Sequence, residues 1–236
     1  DANAAEGGED GGGAPTRVRE YFPETLLWKP IVITDGEGRA ELRFQMADSI
    51  TTWRLNVAAS TVDGRLGSAT TGVLAFQDFF IDIDLPVALT QNDAVSIPVA
   101  VYNYLKEKQS VELVIEKNEW FELRDDEKKT VEIGAGEVKV AYYRIRALKL
   151  GAANSITVNA KGSKMSDAVK RSVEVVPDGQ AVEFAFNGQL SGTAKHTLNV
   201  PAGSIDGATK MLLKAYPGVF ASVMDGLEGL LRMPGG

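Results

Sequence analysis

The side chains of this chain that could do chemistry are few and scattered. The single histidine, His196, shares a strand face with Leu198 and Val200. Serine hydrolysis or metal binding would need partners that no other histidine can supply, so His196 reads as structural. Asp82 and Asp84 lie two apart on one strand face and could be drawn as an acid–base pair. No other signal stands beside them, and a solvated strand face accounts for both. Asp125-Asp126-Glu127 is a turn without calcium-loop spacing. Gly36–Gly38 and Gly134–Gly136 are Gly-x-Gly pieces in hairpin turns, and neither opens a helix after a strand as a phosphate loop does. No Asn-x-Ser/Thr sequon occurs. The expectation is a non-enzyme, with no catalytic residue, no metal site and no cofactor.

Composition narrows the class further. The chain has 236 residues, an ordinary hydrophobic content and a net charge of -7 with both signs mixed along it. No basic patch is visible, which weighs against nucleic acid. No apolar run approaches the ~20 residues of a membrane span, so direct membrane insertion by this segment is not expected. The N-terminus has neither a basic start nor an apolar core and does not read as a signal peptide. Zero cysteines excludes disulfides, thiolate zinc sites and a cysteine nucleophile within these residues, and leaves the compartment open.

The elements that would have to position any site are strands. The chain is organised around Phe76 to Leu105. Phe79, Ile81, Ile83 and Leu85 alternate with Asp82 and Asp84, and Val95, Ile97, Val99 and Val101 alternate in the same way. A period of two with polar residues between marks a strand covered on one face. Pro86 stops the first strand, and Thr90-Gln91-Asn92-Asp93 supplies turn chemistry. Pro98 lacks a donor, which predicts an edge strand or a bulge there.

Residues 1–16 are Gly, Ala and acid with no large apolar residue. Such a segment cannot bury enough surface to offset its ordering entropy, so it reads as a flexible linker or a protease-accessible loop. Within 17–74, strands are predicted at Ile31–Ile33, at Ala40–Met46 and at Trp53–Ala59, with turns at Asp35–Gly38 and Asp63–Gly67. Three strands make half a sandwich whose other half is missing upstream. Residues 75–172 are long enough for a complete sandwich of about seven short strands. Residues 173–215 hold further strand patterns, Val173–Val175, Val182–Phe186 and Ala194–Val200, again too few to close a domain. After Pro217, Val219, Phe220, Val223, Leu227, Leu230 and Leu231 recur at helical spacing, and the chain ends in mid-module at Gly236.

Several of these stretches resemble the α2-macroglobulin and complement-component superfamily, its bacterial branch most closely. The residues that carry the resemblance are Val18–Trp28 (VREYFPETLLW), Asp48–Trp53 (DSITTW), Phe76–Phe80 (FQDFF), Leu85-Pro86, Leu89-Thr90, Val101–Leu105 (VYNYL) and Gly229–Gly236 (GLLRMPGG). They fall in the family's order and cover the chain from about residue 17 to its end. The resemblance implies a mainly β protein of tandem macroglobulin-like, fibronectin III-like antiparallel sandwiches. It assigns 1–16 to a linker at the exit of the bait region, 17–74 to the C-terminal half of one macroglobulin-like domain and 75–172 to the next, complete one. It assigns 173–215 to the first part of a CUB domain and 216–236 to the start of a helical thioester domain. In relatives, Met-Pro-x-Gly leads directly into the Cys-x-Glu-Gln of the internal thioester; for this chain that pair falls outside the 236 residues or is absent, and no thioester residue carries over.

The function so implied is that of a scaffold fragment of a broad-spectrum endopeptidase inhibitor. Its partners would be target proteases, met through the full-length protein, and the remaining domains of that protein. The expected location is periplasmic or cell-surface exposed, with anchoring through an upstream segment. A structural or adhesive cell-surface sandwich without protease trapping is the alternative.

Overall fold

The computed structural model describes residues 17–189, 192–193, 195–218, 223 and 227. The expected linker 1–16 lies outside the described residues, and so does the helical stripe from Val219 to Leu231, apart from Val223 and Leu227, which are helical and exposed. The chain divides at Asp178 into two units.

The first unit carries the strands. They are β1 (Val18–Arg19), β2 (Thr51–Ser60), β3 (Leu66–Ala75), β4 (Phe79–Ile83), β5 (Ala88–Thr90), β6 (Ala94–Asn103), β7 (Gln109–Ile115), β8 (Phe121–Leu123), β9 (Lys128–Ile133), β10 (Glu137–Ala147), β11 (Gly151–Lys161) and β12 (Ser166–Val176). One sheet runs β1-β12-β11-β7-β9, with β5 pairing β12, and a second runs β4-β6-β10-β8. Alternation decides which residues face inward. Ile81, Ile97, Val99, Val101 and Ile145 from one sheet meet Leu113, Ile115, Ile133, Ile156, Val158 and Val169 from the other in one buried core. Each such side chain contributes about 1.5–3 kcal/mol when fully buried. The fold is therefore a mainly β sandwich.

Turn chemistry follows the sequence. Asn92 takes the left-handed conformation (φ 74) in the turn from β5 to β6, where Asp93 N–H donates to the Thr90 carbonyl. Gly136 (φ 69) closes the β9–β10 turn, in which the Glu137 carboxylate accepts from Gly134 N–H at 2.9 Å. Gly134–Gly136 thus sits in a hairpin turn as expected, whereas Gly36–Gly38 lies in the Asp35–Arg39 turn with no strand on either side.

Four expectations are corrected. Pro98 is not on an edge: β6 lies between β4 and β10 and pairs with both. Its carbonyl accepts from Asp84 N–H at 3.2 Å, so the position of its missing N–H also faces β4, just where β4 ends. The ladder to β10 loses no bond.

Strands are absent over 31–46. Asp35 and Arg39 make a turn bond, but the flanking segments find no ladder partner. Alternation supplies a face, and a strand also needs a neighbour to take its N–H and C=O groups.

The sandwich does not stop at residue 172. β12 continues to Val176, and Val173 and Val175 are buried in the same core. Among the described residues no strand follows Val176, so Val182–Phe186 and the described part of 194–200 lie extended and exposed without a ladder.

Candidate interaction surface

The described residues offer no reactive constellation. His196 is exposed, and its ring lies 5.7 Å from that of Phe186. Among the described residues no group of three or more His, Cys, Asp or Glu is placed to hold a metal ion. None of their helices is long and apolar enough to cross a membrane. Asp125-Asp126-Glu127 sits between β8 and β9. Asp125 takes both nitrogens of the Arg144 fork at 2.9 and 2.7 Å and Lys129 at 3.2 Å, and these bonds hold its carboxyl well below the usual carboxylate range.

Asp82 departs from its expected role. It is half-buried, and its Oδ1 accepts from Arg171 at 2.8 Å and from Ile83 N–H at 3.0 Å. Asp84 is exposed. The pair is therefore split: one carboxylate is engaged by a guanidinium, and no acid–base dyad forms.

Three polar residues matter that the sequence pattern did not single out: Arg19, Asp48 and Asp167. All are buried. Arg19 grips Asp167 with two parallel bonds, Nε to Oδ1 at 3.0 Å and an Nη to Oδ2 at 2.7 Å. The same guanidinium donates to the carbonyls of Asp48 (3.0 Å) and Ile81 (2.5 Å). Asp167 also accepts from Ile81 N–H at 2.9 Å. Asp48 accepts from the backbone N–H groups of Glu20 and Tyr21 and from Arg17. Removing one member of such a buried pair costs about 3–5 kcal/mol, because the other charge is left unpaired. One signal could have found Asp167: with Arg171 it shares the period of Val169, Val173 and Val175, so both fall on the inward face of β12. Asn103 is a fourth such residue; its side-chain amide donates to the carbonyls of Glu107 and Gly134, both at 2.8 Å, and ties the end of β6 to the β9–β10 turn.

Two surfaces stay uncovered. The outer face of the second sheet sets Tyr102, Ala100 and Pro98 of β6 beside Val138, Val140 and Tyr142 of β10. The three β10 side chains are about half exposed. A groove of about 880 Å³ on this face is lined by Asp82, Asp84 and Glu24 together with Pro98, Tyr102 and Val140. The second surface is the β2–β3 hairpin, paired in register from Thr51↔Ala75 to Ser60↔Leu66 but joined to no third strand. It exposes apolar side chains of both parities: Leu55 is 42% and Leu74 69% exposed. An isolated hairpin is marginal in water, and apolar groups exposed on both of its faces make it a candidate interaction surface.

A mainly β sandwich built from two sheets around one core is the class that these strands define. A crystal structure of trypsin-activated alpha-2-macroglobulin from Escherichia coli shares this fold with a TM-score of 0.52 and 17% identity, covering 67% of this chain and 12% of that one. The model of the Alpha-2-macroglobulin family matches residues 25–115. Alpha-2-macroglobulin-like protein 1 of Mus musculus is 25% identical over 244 aligned positions that take in 93% of this chain. The chain is thus similar to the α2-macroglobulin family over residues 25–115 and to this relative over most of its length. The chain spans 17% of the length of that curated relative.

Proposed function

We propose that this chain is scaffold from a broad-spectrum endopeptidase inhibitor of the α2-macroglobulin type, the segment between bait region and thioester. In this reading, residues 1–16 are the exit of the bait region. Residues 17–74 are the second half of one macroglobulin-like domain, and the sandwich from 75 through Val176 is the next. The segment from Gly179 to 215 begins a CUB domain, and 216–236 begins the helical thioester domain. The scaffold contributes no catalysis. Protease cleavage upstream would release a collapse that traps the protease, and the β-sandwich would carry that movement.

The observation that supports this most is the β2–β3 hairpin. It is well paired yet open on both faces, as a half-domain would be once separated from its upstream strands. The order of family stretches along the chain supports the same plan. A periplasmic or cell-surface location, anchored upstream, belongs to the same proposal.

The full-length protein tests it. Trapped trypsin should keep activity on a small chromogenic peptide while losing it on a large protein substrate. The full-length protein should also incorporate methylamine and gain one titratable thiol, if Cys-x-Glu-Gln follows Gly236. Trypsin that cleaves both substrates unhindered would overturn the trap and leave a surface scaffold.

A further inference from the structure

The side of the sandwich between β4 and β12 is closed by charges instead of backbone ladders. β4 is the edge strand of its sheet, and Ile81 and Ile83 turn their N–H groups away from β6, toward the open side. Ile81 N–H is taken by Asp167 and its carbonyl by Arg19. Ile83 N–H is taken by Asp82, which is held by Arg171. Asp167 and Arg171 both project from β12.

Both of these caps are held from outside by one short segment. β1, only two residues long, lies parallel on β12 through Val18↔Ala168 and Arg19↔Val169. Arg19 supplies the first cap directly. Phe22, three residues on, lies against the Arg171 guanidinium, whose central carbon is 3.6 Å from the ring centroid. Arg17, Glu20 and Tyr21 are fastened to Asp48, and Glu20 pairs with Lys170.

We propose that residues 17–22 form a strap that closes the free edge of β4. Arg19 pins it at Ile81, Phe22 holds Arg171 and Asp82 at Ile83, and displacement of the strap unlocks both points together. A two-residue parallel pairing is a weak ladder, so the side-chain contacts carry the attachment. The inference rests on these contacts alone and not on the bait-region reading, so each can fail without the other.

Hydrogen exchange on the full chain, resolved by residue, tests the strap. In Arg19→Ala, exchange at Ile81 should rise about tenfold or more, as the Asp167 carboxylate that caps this edge amide loses the guanidinium that holds it. Exchange at Ile83 should rise as well, although Arg19 does not touch its cap. The inner-strand amides of Val99 and Tyr143 should stay as protected as in the parent. Phe22→Ala should loosen Ile83 more than Ile81. If Arg19→Ala unfolds globally, Arg19→Lys, which keeps the charge but not the fork, should show the same paired change at smaller size. A rise at Ile81 alone would reduce Arg19 to a local cap and overturn the strap. So would unchanged protection at both amides.

Discussion

The hydroxyl of Tyr143 donates to the carbonyl of Leu113 at 3.0 Å, crossing the core from one sheet of the sandwich to the other. Tyr143 is wholly buried, and Lys129 lies over its ring, 4.8 Å from the centroid. Burial, with a smaller push from the Asp125 carboxylate, raises its phenol to about 12. A group whose folded value is raised favours the fold fully below its unfolded value, about 10, and loses that contribution as pH climbs through the folded one. Tyr143→Phe should therefore lower stability at pH 7 by about 1 kcal/mol, the worth of a buried neutral hydrogen bond. Its stability should also fall less steeply than the parent's between pH 10 and 12. Denaturant melts across that range check both, and parallel curves would contradict the assignment.

Asp125 works with the opposite sign. Its bonds to Arg144, and more weakly to Lys129, lower its pKa below the ordinary carboxylate value. A lowered group supports the fold above its unfolded value, about 3.9, and loses that support as pH falls further. Asp125→Asn should lower the melting temperature at pH 7 by roughly 1–4 °C, since Arg144 is largely exposed. The gap to the parent should hold down to about pH 4 and narrow below it. A gap that widened in acid would exclude this role.

The extent of β12 can be tested by truncation. The segment 75–178 should unfold cooperatively, with β-type circular dichroism. The segment 75–172 lacks Val173 and Val175, both 2% exposed, and should melt at lower temperature or without cooperativity. Removing two buried valines from a sheet costs on the order of several kcal/mol. Equal melting of the two segments would return the boundary to 172.

The hairpin makes a prediction about context. Amides of β2 and β3 in the 236-residue chain should exchange faster than those of β6 and β10. In the full-length protein the same amides should become protected, because upstream strands would cover Leu55, Val57, Val73 and Leu74. Equal exchange in both proteins would show that the hairpin is not half of a divided domain.

Much of this fold is legible along the chain because strand faces obey a local rule. Phe79, Ile81, Ile83, Ile97, Val99 and Val101 alternate, and all are buried. The turns at Thr90–Asp93 and Gly134–Gly136 are local too, since each puts a residue that tolerates the left-handed region, Asn92 or Gly136, where the chain reverses. The family stretches are short-range patterns of the same kind. Where a strand finds its partner is not a local property. Ala40–Met46 and Val182–Phe186 alternate as well as β4 does, yet they form no ladder, because no neighbour within the described residues takes their backbone groups. Pro98 reads as an edge residue until the sheet shows β4 ending beside it. Arg19 and Asp167 stand 148 positions apart, and nothing in either's surroundings in the sequence announces the other. The alternating pattern determined which residues could be inside. Only the tertiary structure decided that a buried arginine would close the edge of β4, because a buried charge persists only where the whole fold brings its partner within reach.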